Sequence, residues 1–103
     1  MATLKGSQRT YLRSLAHHLQ PVVHVGRDGV TEGLVEAVDQ ALGAHELIKV
    51  RFLEHKTEKK ALHQEIAQKT RSHPVGMVGH VAILYRQHPD EEKRKIEIPD
   101  HGR

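Results

Sequence analysis

The chain has 103 residues, 37% of them apolar and only 3% aromatic, which leaves room for one modest core of Leu, Val, Ile and Ala. It has no cysteine, so disulfides, thiolate catalysis and Cys-based zinc sites are excluded, and it has no apolar run long enough to span a bilayer. A formal net charge of +3, with 10 histidines that add charge in acid, permits an anionic partner without demanding one.

The pattern alternates helix and strand. Met1 to Gly6 lack the apolar core of a signal peptide, and the expected compartment is a bacterial cytoplasm. Residues 7–18 are predicted as a helix, with Leu12, Leu15, Ala16 and Leu19 at helical spacing, Ser7 as N-cap and Gln20-Pro21 as its end. Lys5, Arg9 and Arg13 recur along one side of it. Val22–Val25 is a short strand. A second helix is expected from Thr31 to Ala44. Its stripe is Leu34, Val35, Val38, Ala41 and Leu42, and Glu32, Glu36 and Asp39 face water.

Leu47–Leu53 is the clearest strand: Ile48, Val50 and Phe52 point one way, Lys49 and Arg51 the other. The face with the two cations should be wet or meet an anionic partner. A third helix is expected over Thr57–Arg71, with Leu62, Ile66 and Ala67 as its apolar contribution. Val75–Val78 and Val81–Arg86 read as strands broken at Gly79-His80. Gln87–Lys95 reads as a charged loop, Ile96 and Ile98 as a last short strand, and Asp100–Arg103 as a frayed end. The order α-β-α-β-α-β-β implies an α/β (α+β) fold: one domain over residues 1–103, with a small mixed four-stranded sheet covered by three helices. Helices one and two should pack on the sheet face that carries Ile48, Val50 and Phe52.

The candidate site is Gly26-Arg27-Asp28-Gly29, between the first strand and the second helix. Two glycines three apart let a backbone approach a ligand closely. The helix behind them offers unpaired N–H groups and the positive end of its dipole, which suits a phosphate oxygen. Arg27 adds charge, and Asp28 is expected to cap the helix or shape the turn. A plain strand-to-helix turn fits the same four residues. Lys49 and Arg51 are further candidate contacts. Tyr85 fits either a base stack or the core.

Other chemistries find less support. No two histidines stand at H-x-H, H-x-x-H or H-x-x-x-H spacing, so no metal site and no cofactor is expected. A phosphate-binding enzyme would need the Lys-Ser/Thr ending of a P-loop, and Val30-Thr31 stands there instead. Ser7, Ser14 and Ser72 lack a nucleophile-elbow context. A nucleotide-using enzyme therefore ranks below a binding protein.

Several segments, in order, resemble the CRM domain of RNA-binding proteins, above all its stand-alone bacterial YhbY-like form. They are Leu12-Arg13-Ser14-Leu15-Ala16-His17, Gln20 to Gly26, Gly29-Val30-Thr31-Glu32-Gly33, His45-Glu46-Leu47-Ile48-Lys49-Val50, and Val78-Gly79 followed by Ile83-Leu84-Tyr85-Arg86. The resemblance covers about residues 4–98. The glycine often found after the last segment is Gln87 here. The resemblance implies a fold like the C-terminal domain of bacterial translation initiation factor three. It implies RNA binding, with the assembling large ribosomal subunit as the target; the chain is expected to be a monomer. Its expected contacts are Gly26, Arg27, Asp28 and Gly29, in the manner of KH-domain clamps, with Lys5, Arg9, Arg13, Lys49, Arg51 and Arg86 around them. A protein-interaction adaptor on the ribosome, without RNA contact, is the alternative.

Overall fold

The computed structural model describes residues 4–98. The elements are α1 (Gly6–Ala16), β1 (Val23–Val25), α2 (Glu32–His45), β2 (Leu47–Phe52), α3 (Lys59–Thr70), β3 (His73–Val78) and β4 (Val81–Tyr85). The expected order, the mixed four-stranded sheet and the three covering helices are all present. The strands lie in the order β1-β2-β4-β3. β1 runs parallel to β2, and β4 runs antiparallel to both β2 and β3. The parallel pair needs a crossover, which α2 supplies.

Alternation along β2 divides the core in two. Ile48, Val50 and Phe52 join Ala82 and Leu84 under α2 and α3, with Val38, Leu42, Ile66 and Ala67 as the helical side. Leu47, Ile83 and Tyr85 point to the other face and meet Leu12 and Ala16 of α1. The expectation that helices one and two share a face is therefore corrected: α1 lies alone on the opposite side. The physical reason is that β4 is apolar on both faces. Ala82 and Leu84 fill one side, Ile83 and Tyr85 the other, and each face needs its own cover. Each fully buried Leu, Ile or Phe contributes roughly 1.5–3 kcal/mol relative to exposure. Gly76 of β3 admits the helix. A Cβ there would stand 2.7 Å from the Arg13 Cδ, so the Arg13 stem lies directly on the strand.

Local details differ from expectation at the ends. Ser7 is not the N-cap of α1. Lys5 holds that position, and the Gln8 side chain reaches back to accept from the Lys5 N–H at 2.9 Å. The helix ends at Ala16, ahead of Gln20-Pro21. Asp28 does not cap α2. The Thr31 hydroxyl does, accepting from the Leu34 N–H at 3.1 Å.

Ile96 and Ile98 form no strand. Their side chains pack against the α1 face of the core, but the N–H groups of Lys95 and Ile96 go to the Glu46 carboxylate, at 2.6 and 3.0 Å. Glu46 is buried at 1% exposure, holds φ of +64°, and also accepts from the His88 N–H at 2.7 Å. One carboxylate thus pins the whole segment after β4. The expected frayed end, Asp100–Arg103, lies outside the described residues.

Candidate nucleic-acid interface

Gly26–Gly29 closes as a tight turn, with the Gly29 N–H donating to the Gly26 carbonyl at 3.1 Å. Gly29 takes φ of +69°, which only glycine adopts without strain. Gly26 has an ordinary φ, and a Cβ there would meet no atom within 4 Å. Its value is the open space beside its backbone. Among the described residues, no acceptor meets the N–H groups of Arg27 or Asp28. The exposed Arg27 side chain likewise has no partner among them, and Asp28 has none. A concavity of about 460 Å³ opens between the turn, the β1 edge and the first turns of α2.

Pairing in the sheet shows which groups share this end. His24 of β1 is in register with Arg51 of β2, and Arg51 with Val81 of β4. The Phe52 N–H donates to the His80 carbonyl at 2.8 Å, and the Leu53 N–H to the Val25 carbonyl at 3.0 Å. The G-x-x-G turn, the β2–α3 loop and the β3–β4 turn therefore meet at one end of the sheet.

His55, in the β2–α3 loop, was not singled out by the sequence. Its Nε2–H donates to the Arg27 carbonyl at 2.8 Å, and its ring lies 3.5 Å from where a Gly29 Cβ would stand. It holds φ of +58° to do so. The G-x-x-G spacing carries no signal for a residue so distant in sequence.

The expected cations divide by position. Arg27 and Arg51 stand at the loop end, exposed and unpaired among the described residues. Lys49, one step back on the same face as Arg51, donates from Nζ to the Leu19 carbonyl at 3.0 Å. Arg13 lies over Gly76, level with Lys49 through Ile83, and His17 lines a hollow with Lys49 and Arg51. The chain of α1 thus advances toward the loop end, leaving Lys5 and Arg9 at the far end of the helix. Arg86 follows β4 at the opposite end of the sheet. There its guanidinium donates to the Asp39 carboxylate at 2.5 Å and to the Thr70 carbonyl at 2.8 Å. It ties α2 to the end of α3 and is only partly exposed.

Tyr85 is in the core, at 2% exposure. Burial, and then the nearby Glu46 charge, push its pKa up to about 12. Its hydroxyl is buried without a hydrogen-bond partner, and its ring stacks on His73. Of the two readings of Tyr85, the core one describes its position. A larger apolar hollow of about 560 Å³, lined by Tyr11, Leu15, Leu19, Leu47 and Ile96, lies toward the Arg86 end. Lys95 is the one formal cation among the described residues of its lining. Among the described residues, no cluster of His, Asp and Glu could hold a metal ion, and no helix is long and apolar enough to cross a membrane.

Comparison with known proteins gives a consistent result. Residues 4–86 match the family model of the CRS1 / YhbY (CRM) domain. A protein of Haemophilus influenzae named "RNA-binding protein" is 43% identical over 100 residues, covering 96% of this chain and 98% of its own length. The Bacillus subtilis protein named "Probable RNA-binding protein YqeI" is 36% identical, covering 93% of this chain and 99% of its own. The solution structure of the Staphylococcus aureus protein SAV1595 superposes with a TM-score of 0.81 at 36% identity, covering 94% of this chain and all of that one.

Proposed function

The chain belongs to the CRS1 / YhbY (CRM) domain family, and from that premise we propose that it binds RNA through the G-x-x-G end of its sheet. One observation carries the reading. The unpaired N–H groups of Arg27 and Asp28 stand at the head of α2 beside the free Arg27 side chain, with Arg51 at the same end. Backbone donors, a helix N-terminus and two cations suit RNA phosphates. The open flank of Gly26 gives a phosphate room to approach.

The target is large-subunit ribosomal RNA or its precursors during ribosome assembly, as the family resemblance suggests. The protein acts as a cytoplasmic monomer. Its mechanism is positioning and electrostatics, without catalysis. Lys49 and Arg13 extend the surface along the α1 face. Arg86 supports it from a distance, since its charge is shared with Asp39.

Crosslinking in cells, followed by sequencing of the attached RNA, tests this. Enrichment of large-subunit ribosomal RNA is expected. Recovery of mainly protein partners would replace the reading with that of a ribosomal adaptor.

A further inference from the structure

The loop end holds a second cationic cluster that the G-x-x-G turn does not include. Lys59, the first residue of α3, donates from Nζ to the Gly79 carbonyl at 2.7 Å and to His80 Nδ1 at 3.0 Å. An ammonium is donor only, so His80 Nδ1 accepts and its Nε2 carries the ring proton. The third Lys59 proton and the His80 Nε2–H remain unspent. His80 is an exposed residue at the tip of the β3–β4 turn. Its pKa is lowered, first by partial desolvation of the ring and then by repulsion from Lys59, Lys56 and Arg51. Arg51 reaches the same turn through its register with Val81, and the Phe52 N–H donates to the His80 carbonyl at 2.8 Å.

Their placement works against the helix they adjoin. Lys59 and Lys60 open α3, and no acidic residue stands in its first turn. Cations at the positive end of a helix dipole are unfavourable, and an anion there is favourable. Of the nearby carboxylates, Glu58 is the N-cap residue of α3 but makes no side-chain cap hydrogen bond. Glu58 lies against His55 and Thr57, and Glu54 is exposed.

We propose that Lys56, Lys59, Arg51 and His80 form a second phosphate site, which takes the single-stranded RNA backbone as it continues from the G-x-x-G turn. The inference rests on the RNA-binding reading and deepens it. The G-x-x-G turn holds one phosphate and the α3 cluster a later one of the same strand. Both contacts read backbone alone, so binding here is tolerant of sequence.

The test uses the full chain and a short fluorescent oligouridylate, with anisotropy measured across a salt series. Lys56→Ala removes an exposed side chain that has no partner among the described residues. Lys59→Gln removes the charge while keeping a donor for the Gly79 carbonyl. Each should weaken binding several-fold and flatten the log–log salt slope by about 0.7, the value for one single-strand phosphate contact. In the parent, oligouridylate should raise the apparent pKa of His80 in an NMR titration, because a phosphate offsets the repulsion of its three cationic neighbours. If both variants keep the parent slope and His80 titrates unchanged, while Arg27→Ala still weakens binding, the second site is refuted and the RNA reading stands. If Arg27→Ala also has no effect, or the parent does not bind oligouridylate, both fall.

Discussion

His55 donates from Nε2 to the Arg27 carbonyl at 2.8 Å, so the β2–α3 loop is hydrogen-bonded to the G-x-x-G turn. The contact spans 28 residues of sequence and is made by a histidine in a left-handed conformation. It fixes the peptide whose neighbouring N–H groups face the proposed phosphate. His55→Ala should remove a hydrogen bond worth about 1 kcal/mol of stability and weaken RNA binding by at most about fivefold. The salt slope should stay as in the parent, because His55 positions the turn and touches no phosphate. Hydrogen exchange at the Gly29 amide should quicken. A changed slope would instead make His55 a direct contact.

The two glycines of the turn should respond differently. Gly29→Ala forces a side chain into φ of +69° and against the His55 ring, at a cost of roughly 1–2 kcal/mol in stability. Gly26→Ala meets open space at ordinary φ and should leave stability within about 0.5 kcal/mol of the parent. Urea denaturation of both variants checks this. Equal losses would mean that the turn is not built as described.

Much of this architecture was legible in the sequence because it rests on periodicity. The alternation in Leu47–Phe52 and the stripe of α2 place Ile48, Val50, Phe52, Val38 and Leu42 in one core, as the structure has them. The face taken by α1 was not legible. A short apolar stripe such as Leu12 and Ala16 fits either side of a sheet, and only the two-sided burial of β4 decides it. Nor was Glu46. A glutamate at the end of a helix reads as a solvated charge until a segment more than 40 residues later brings three N–H groups to it. The G-x-x-G turn was visible as two glycines, whereas its support by His55 and the clustering of Lys59 with His80 exist only once three loops meet.

Glu46 gives a stability prediction. Glu46→Ala leaves the N–H groups of His88, Lys95 and Ile96 without their acceptor, and should cost roughly 2–4 kcal/mol by chemical denaturation. Glu46→Gly loses the same bonds but accepts φ of +64° freely, so its loss should be about 1 kcal/mol smaller. If both variants match the parent, the carboxylate does not anchor the C-terminal segment.

A pH dependence follows from His63 of α3. It is buried at 5% exposure, and its Nε2–H donates to the Ile83 carbonyl at 3.0 Å. Burial lowers its pKa, outweighing the opposing effect of that hydrogen bond. The unfolded chain therefore takes up this proton at higher pH than the folded one. The stability contribution is complete above about pH 6.5 and shrinks as pH falls from there toward the depressed folded value. His73 and His80 are shifted in the same direction. The Tm should fall between neutral pH and mildly acidic pH, and His63→Gln should reduce that fall without abolishing it. A His63→Gln protein with the parent's full pH dependence would show that His63 is not its source.

The central claim is that the G-x-x-G turn grips RNA phosphate. Its most direct test is the salt dependence of binding to a large-subunit ribosomal RNA transcript, for the parent, Gly26→Asp and Arg27→Ala, each first shown to be folded by circular dichroism. Gly26 is the glycine to change, since a side chain there disturbs no neighbour in the fold. Gly26→Asp should weaken binding at every salt concentration, by blocking the approach and adding a like charge. Arg27→Ala should flatten the log–log slope by about 0.7, the value for one single-strand phosphate contact. Folded variants that bind as tightly as the parent, with the parent's slope, would show that these four residues are only a turn.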